Sequence, residues 1–244
     1  MLSSLRASIA LLLLGLAGSA AASEGGLAEA PLLLHVPGVA AHVTYTWVVM
    51  AVLIVTGYVA GRSAAIVPSG VSHFYEVVLE GVLNFTEGML GEEALRFFPL
   101  IATFALFIVT GNLIGLIPGF ESPTANLNTT VALAVVAVVY SEVVGLRTHG
   151  PGYIKHFTGP LWWLAPLMLP IEIISHLARM MSLSLRLFGN IRGEDILLAV
   201  LLGLVPYLVP VPIMLLAVFT SFLQGFIFVV LTLIYIQGAL EHAH

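Results

Sequence analysis

The sequence predicts an all-α polytopic membrane protein, with about five transmembrane helices left once a leader is removed. Three observations predict it. Hydrophobic residues make up 59% of the 244 residues and charged residues 9%, with a mean hydropathy of +1.08; soluble domains carry roughly 25% charged residues. The apolar residues come in runs of about 20, the length a helix needs to cross a hydrocarbon core. Most of the few cations close those runs, and one long segment near the C-terminus is the exception. There is no cysteine, which excludes disulfide and thiolate chemistry.

Residues 1–22 read as a secretory signal: Arg6 as the positive start, residues 9–16 as the apolar core, and Ala20-Ala21-Ala22 as a small-residue cleavage site. The rival reading is an uncleaved first membrane helix, for which the apolar core is short. Residues 23–41 then form an external N-terminal segment, and residues 42–244 a single membrane domain.

The first retained span covers residues 42–60, closed by Gly61-Arg62. Residues 69–90 differ. Val71, Phe74, Val78 and Val82 mark an apolar face, whereas His73, Glu76, Glu80 and Glu87 add charge. That pattern predicts an amphipathic helix on the cytoplasmic surface or packed against a partner. His73 reads as an interfacial residue rather than a ligand. The second span covers residues 96–117 and stops at Pro118-Gly119. Its Asn112 either makes an interhelical hydrogen bond or lines a water path. Residues 121–128 form an outer loop without Lys or Arg. The third span covers residues 129–146, with Glu142 near its inner end and Arg147 closing it. Residues 148–160, with His149, Lys155 and His156, form an inner loop.

Residues 161–204 form one long apolar rod that carries charge. At 100° per residue, Ser175, Arg179, Ser182, Asn190 and Glu172 all fall within about 40° of Arg186. A guanidinium at mid-bilayer costs at least ~2.5–3.5 kcal/mol on insertion scales. It also cannot deprotonate. The stripe therefore faces other helices, a water-filled cavity or a partner, and not lipid. A purely structural role, with Arg186 in an internal salt bridge, is disfavoured locally: no acid lies within one turn on its own face. Leu204-Val205-Pro206 and Val209-Pro210-Val211-Pro212 break the rod from a last span, residues 212–238, followed by Glu241, His242 and His244. The tail histidines lack metal-ligand company.

Arg62, Arg96, Arg147 and Lys155 all fall at inner ends or loops, and the outer segments after the signal carry no cation. This bias places the mature N-terminus outside and the C-terminus in the cytoplasm. On that topology Glu172 and Ser175 lie toward the cytoplasm, Glu194 and Asp195 toward the outside, and Arg186 between. Acids displaced to either side of a central cation suggest two half-access paths. The fixed charge raises the barrier to a crossing cation. It also favours the ionised form of any carboxylate brought near it.

The run Ser182-Leu183-Ser184-Leu185-Arg186-Leu187-Phe188-Gly189-Asn190 resembles the signature of the a-subunit family of F-type ATP synthases. Pro170-Ile171-Glu172-Ile173-Ile174-Ser175 upstream, Gln224-Gly225-Phe226-Ile227-Phe228 downstream and the span around Asn112-Leu113-Ile114-Gly115-Leu116-Ile117-Pro118 extend the likeness over roughly residues 70–240. The resemblance implies a proton-translocating stator subunit of a bacterial inner membrane, working against a c-ring and held by b-type peripheral stalk subunits. It implies no cofactor and no metal.

By the same resemblance Arg186 is the essential gate and rotor partner. Asn190 and Gln224 match the motif asparagine and the facing glutamine, and Glu172 and Ser175 match the cytoplasmic path. Asp195 matches the outer-path acid by its spacing from the arginine. On an ideal helix Asp195 lies about 180° from Arg186 and Glu194 about 80°. Asp195 thus suits a path facing the last span or Asn112, Glu194 the face nearer the ring, and both can contribute. One departure is Ala217, where some relatives carry a histidine. Arg179 is left to pair with Glu172 or touch the ring, and Arg192 faces away from the stripe.

No Gly-x-x-x-x-Gly-Lys-Ser/Thr loop occurs, and the loops are too short for a nucleotide domain, so the chain is not expected to bind nucleotide or hydrolyse ATP itself. Nor is it expected to bind nucleic acid. The alternative is a self-contained secondary transporter holding an anion at Arg186. That reading calls for inverted repeats with matched broken helices, and the sequence shows neither.

Overall fold

The computed structural model describes residues 39–62, 70–117, 119–150, 165–204 and 210–241. The signal reading, most of the external segment, Lys155, His156, His242 and His244 lie outside the described residues. Within them the chain forms six α-helices: α1 Ala41–Arg62, α2 Val71–Leu90, α3 Ala94–Gly115, α4 Leu127–His149, α5 Ala165–Leu204 and α6 Pro210–Glu241. Short 3₁₀ turns occupy Gly91–Glu93 and Pro123–Ala125.

Local chemistry explains the boundaries. The α2 helix ends at Gly91, whose φ of 59° suits glycine, and the Gly91 N–H returns to the Glu87 carbonyl. Asn126 caps α4 by accepting the Asn128 N–H at 3.0 Å. Gly150, at φ 61°, ends α4 with its N–H on the Leu146 carbonyl. The prolines expected to separate the rod from the last span stand at that boundary: α5 ends at Leu204 and α6 starts at Pro210. Pro210 and Pro212 sit in the first turn of α6, where missing N–H groups leave no bond unmade.

Four described stretches are long and apolar enough to cross a membrane: Ala41–Arg62, Val71–Gly115, Leu127–His149 and Pro210–Glu241. The protein is a multi-pass membrane protein. The fifth expected segment is the helix α5, which is absent from those four. Its 40 residues carry Glu172, Arg179, Arg186, Arg192, Glu194 and Asp195. At 1.5 Å per residue it is about 60 Å long, twice the hydrocarbon thickness.

The core runs along α3, α4 and α6, with α1, α2 and α5 around them. One cluster gathers Val49, Phe104, Ile108, Ala134, Leu183, Leu187, Ile191 and Phe228. A second joins Phe97, Ile101, Val144, Val229, Leu233 and Ile236. The α3 and α6 helices pack tightly at Gly225, where a Cβ would lie 2.6 Å from Val109 Cγ2.

The α2 helix is amphipathic as expected, but its inward face is rotated. Val71 and Phe74 are exposed, while Val82, Phe85 and Met89 pack on the second cluster. The Ser72 hydroxyl donates to the Ala60 carbonyl and Tyr75 meets Thr56, so the start of α2 is pinned to α1 and sets which face turns inward.

Candidate functional site

The α5 helix turns Leu183, Leu187 and Ile191 into the first cluster, with Ser184 also buried. The adjoining flank, centred about 100° round the helix from Leu187, is open to the surface. It carries Arg179, Ser182, Arg186 and Asn190, all exposed. Around them the surface is apolar: Met181 and Leu185 on α5, and Phe219, Phe222, Leu223 and Phe226 on α6. Among the described residues Arg186 forms no ion pair. The internal salt bridge considered from sequence is not made.

One turn beyond Arg186, the Asn190 side-chain amide donates to Gln224 Oε1 at 2.7 Å. Gln224 is only 2% exposed, whereas Asn190 is open to the surface. The pair is a polar bridge from the outer face of α5 into the seam with α6. Gly225 and the fully buried Phe228, stacked edge-on against Phe104 at 5.3 Å, fix that turn of α6 against α3.

Glu194 and Asp195 lie toward one end of α5. Glu194 is within hydrogen-bonding reach of Thr220 on α6. Asp195 has Arg192, Glu121 and Glu194 as its charged neighbours. It thus faces the segment joining α3 to α4. That segment also holds Asn112: Thr124 donates to Asn112 Oδ1, and Ser122 meets Thr124 at 2.7 Å. Asn112 is 2% exposed, and its amide nitrogen makes no hydrogen bond within the described residues. The segment folds back tightly onto α3, where a Cβ at Gly115 would meet Ser122 Cβ at 2.5 Å. So Asn112 bonds to the connecting turn, not to a neighbouring long helix.

At the other end, Glu172 and Ser175 are half-buried. His176 stands with Nε2 3.3 Å from Glu172 Oε1 and Nδ1 2.9 Å from Glu142 Oε1 of α4. Sequence reasoning passed over His176 and left Glu142 without a role. The i, i+4 spacing of Glu172 and His176 was visible; the partner on α4 was not. Arg179, considered as a partner for Glu172, places its guanidinium over the Tyr235 ring at 5.6 Å. Nearby, His149 reaches the Ala239 carbonyl at 3.1 Å, joining the ends of α4 and α6. Among the described residues no cluster of His, Asp and Glu is placed to hold a metal ion.

The family model described as ATP synthase A chain matches residues 43–237 of this chain. An ATP synthase subunit a from Trichlorobacter lovleyi is 52% identical over 213 residues, covering 87% of this chain and 93% of the relative. The ATP synthase subunit a of Syntrophobacter fumaroxidans is 53% identical, covering 83% of this chain and 85% of its own. That of a Geobacter species is 54% identical, covering 83% and 88%.

Proposed function

This chain belongs to the ATP synthase A chain family, and from that premise we propose that it is the proton-translocating stator subunit of an F-type ATP synthase. It offers two offset half-paths to a rotor of carboxylate-bearing subunits and separates them with Arg186. The observation that carries this reading is the exposed, unpaired Arg186 on an apolar outer face of the bundle, between two acid-bearing ends.

A permanent cation on such a face needs a partner that brings negative charge. At an effective dielectric constant of 20, opposite unit charges 4 Å apart attract by about 4 kcal/mol. That is enough to hold a rotor carboxylate ionised while it passes Arg186. A rotor acid then turns through lipid in its neutral form, takes its proton from one half-path and loses it into the other. The guanidinium blocks direct passage between them. The electrical part of the drive is about 2.3 kcal/mol per charge per 100 mV. Lysine is a poor substitute, because it sheds its proton in apolar surroundings and lacks the planar fork.

The outer half-path runs by Asp195, Glu194 and Asn112; the cytoplasmic one by Glu172 and Ser175. Asn190 and Gln224 hold the seam beside Arg186. The partners are a c-ring on the Arg186 face, b-type peripheral stalk subunits and lipid. The chain itself binds no nucleotide. The host is a bacterial inner membrane, with the mature N-terminus outside, the C-terminus cytoplasmic, and residues 1–22 removed as a signal.

The test is proton movement in inverted vesicles holding the whole complex, wild type against Arg186→Ala. ATP-driven acidification is read first, then passive leak after the catalytic head is stripped. Loss of pumping with intact assembly, together with a raised leak, supports the reading. Undiminished pumping sinks it.

A further inference from the structure

We propose that His176, held between Glu142 and Glu172, is the proton-exchange group of the cytoplasmic half-path. The proposal rests on the proton-translocating function above and names the group that serves one end of it. Its footing is geometric. The two ring nitrogens face two different carboxylates, at 2.9 Å and 3.3 Å, one from α4 and one from α5 itself.

A neutral imidazole has one N–H and one bare nitrogen. A bare nitrogen cannot rest against an ionised carboxylate oxygen at these distances. The ring is therefore either doubly protonated or paired with one protonated acid. Either way the cluster between α4 and α5 holds a proton; Nδ1 lies close to Glu142 but is not aligned for a hydrogen bond, so the Glu142 carboxylate turns to take it. A purely structural clamp needs one acid; the second leaves the cluster with a net negative charge even when the ring is an imidazolium. Histidine is the side chain suited to passing a proton on, and the second acid gives that proton somewhere to go.

The position suits the task. His176 lies ten residues before Arg186 and Asp195 nine after it, about 15 Å and 14 Å along the helix axis. Exchange chemistry thus stands at similar distances on either side of the gate. Arg179, the nearest cation on the stripe toward His176, is turned onto Tyr235 of α6.

The relay balances. A proton arriving on Glu172 forms a carboxylic O–H. That bond breaks as an Nε2–H bond forms. The Nδ1–H bond then breaks as Glu142 gains a proton, which it releases to cytoplasmic water. The ring returns to its starting tautomer when Nε2 gives its proton to water and Nδ1 takes one from water. One proton has moved and no charge is left behind.

The experiment uses inverted vesicles containing the whole complex, whose outer face is the cytoplasmic one. ATP-driven acidification is compared for wild type, His176→Ala, His176→Gln and Arg186→Ala, with retention of the rotor ring as the assembly check. The expectation is at least a tenfold loss of pumping in H176A, and several-fold recovery when imidazole is added to the medium. H176Q, which fills the space and can hydrogen-bond but cannot carry a proton, stays slow. Pumping at the wild-type rate in H176Q, or an H176A rate that imidazole does not change, overturns the proposal. Where H176A fails to assemble, H176Q alone decides: slow supports, wild-type rate overturns. The R186A arm keeps the two readings apart. Lost pumping there with an unaffected H176Q removes His176 and leaves the stator function standing; undiminished R186A pumping removes the function itself.

Discussion

Replacing Gly225 with alanine places a methyl carbon 2.6 Å from Val109 Cγ2 across the α3 and α6 seam. Carbon atoms prefer about 3.5–4.0 Å, so the seam must open by roughly 1 Å or Val109 must leave its rotamer. Valine on a helix has one strongly preferred rotamer, which makes the second route costly. Overpacking of this kind costs about 1–3 kcal/mol. The strain falls one residue from Gln224, whose bond to Asn190 is 2.7 Å long. The expected result is a loss of about 1–3 kcal/mol in thermal or chemical denaturation of the purified complex, with slower ATP-driven pumping. Val109→Ala removes the offending methyl, so Val109→Ala/Gly225→Ala recovers much of that loss. A double-mutant cycle reads the coupling, about 1–2 kcal/mol for groups in such contact. A G225A complex as stable as wild type, or a double variant no better than G225A alone, refutes the claim that this seam sets the position of Gln224.

Asn190→Ala and Gln224→Ala, alone and combined, should show a coupling of about 0.6 kcal/mol and at most about 1.7, the range for hydrogen bonds between membrane helices; additive losses in denaturation count against the bond. Phe228→Ala should destabilise by less than the about 3–5 kcal/mol of soluble cores, because lipid is as apolar as the seam it leaves; a loss beyond that range sinks this account of the core. Asp195→Asn should slow pumping more than Glu194→Gln, since Asp195 faces Glu121 and the Asn112 turn while Glu194 meets Thr220; the reverse order of initial rates moves the outer path to the Glu194 side. Gly115→Ala should fail to assemble or assemble weakly, because its Cβ meets Ser122 backbone and side chain within 2.9 Å; normal yield of intact complex contradicts that fit.

Much of this arrangement was legible in the chain. The polar stripe of α5 follows from helical spacing alone, and it stays at the surface while the neighbouring face of Leu183, Leu187 and Ile191 turns into the core. The near-opposition of Asp195 to Arg186 follows from the same arithmetic, and Asp195 does face the α3 to α4 connection. What stayed hidden depends on register between helices. Glu142 and His176 are 34 residues apart, and nothing in either helix says that their turns coincide. Asn112 could not be assigned a partner, because Thr124 sits on a 3₁₀ turn with no apolar period of its own. The inward face of α2 was misread because Val71 and Phe74 continue its apolar pattern, whereas the tie from Ser72 to Ala60 fixes the rotation.

The length of α5 then matters for more than packing. From Glu172 to Asp195 is 23 residues, about 35 Å along the axis. A bilayer core is about 30 Å thick, so upright spans place acids that far apart at opposite surfaces. A steeply tilted helix does otherwise: it holds both acid groups nearer the middle and offsets them sideways along the outer face. Under the proposed function, two access paths built at its ends then open on opposite sides of the membrane without lying on one line. In the proposed mechanism a proton does not cross by stepping down the helix, because Arg186 interrupts the stripe between its two acid-bearing ends. The shorter route is round a partner that carries the proton through lipid from one end to the other. In the proposed mechanism tilt, sideways offset and a central cation thus act together, and each alone leaves either a leak or a dead end.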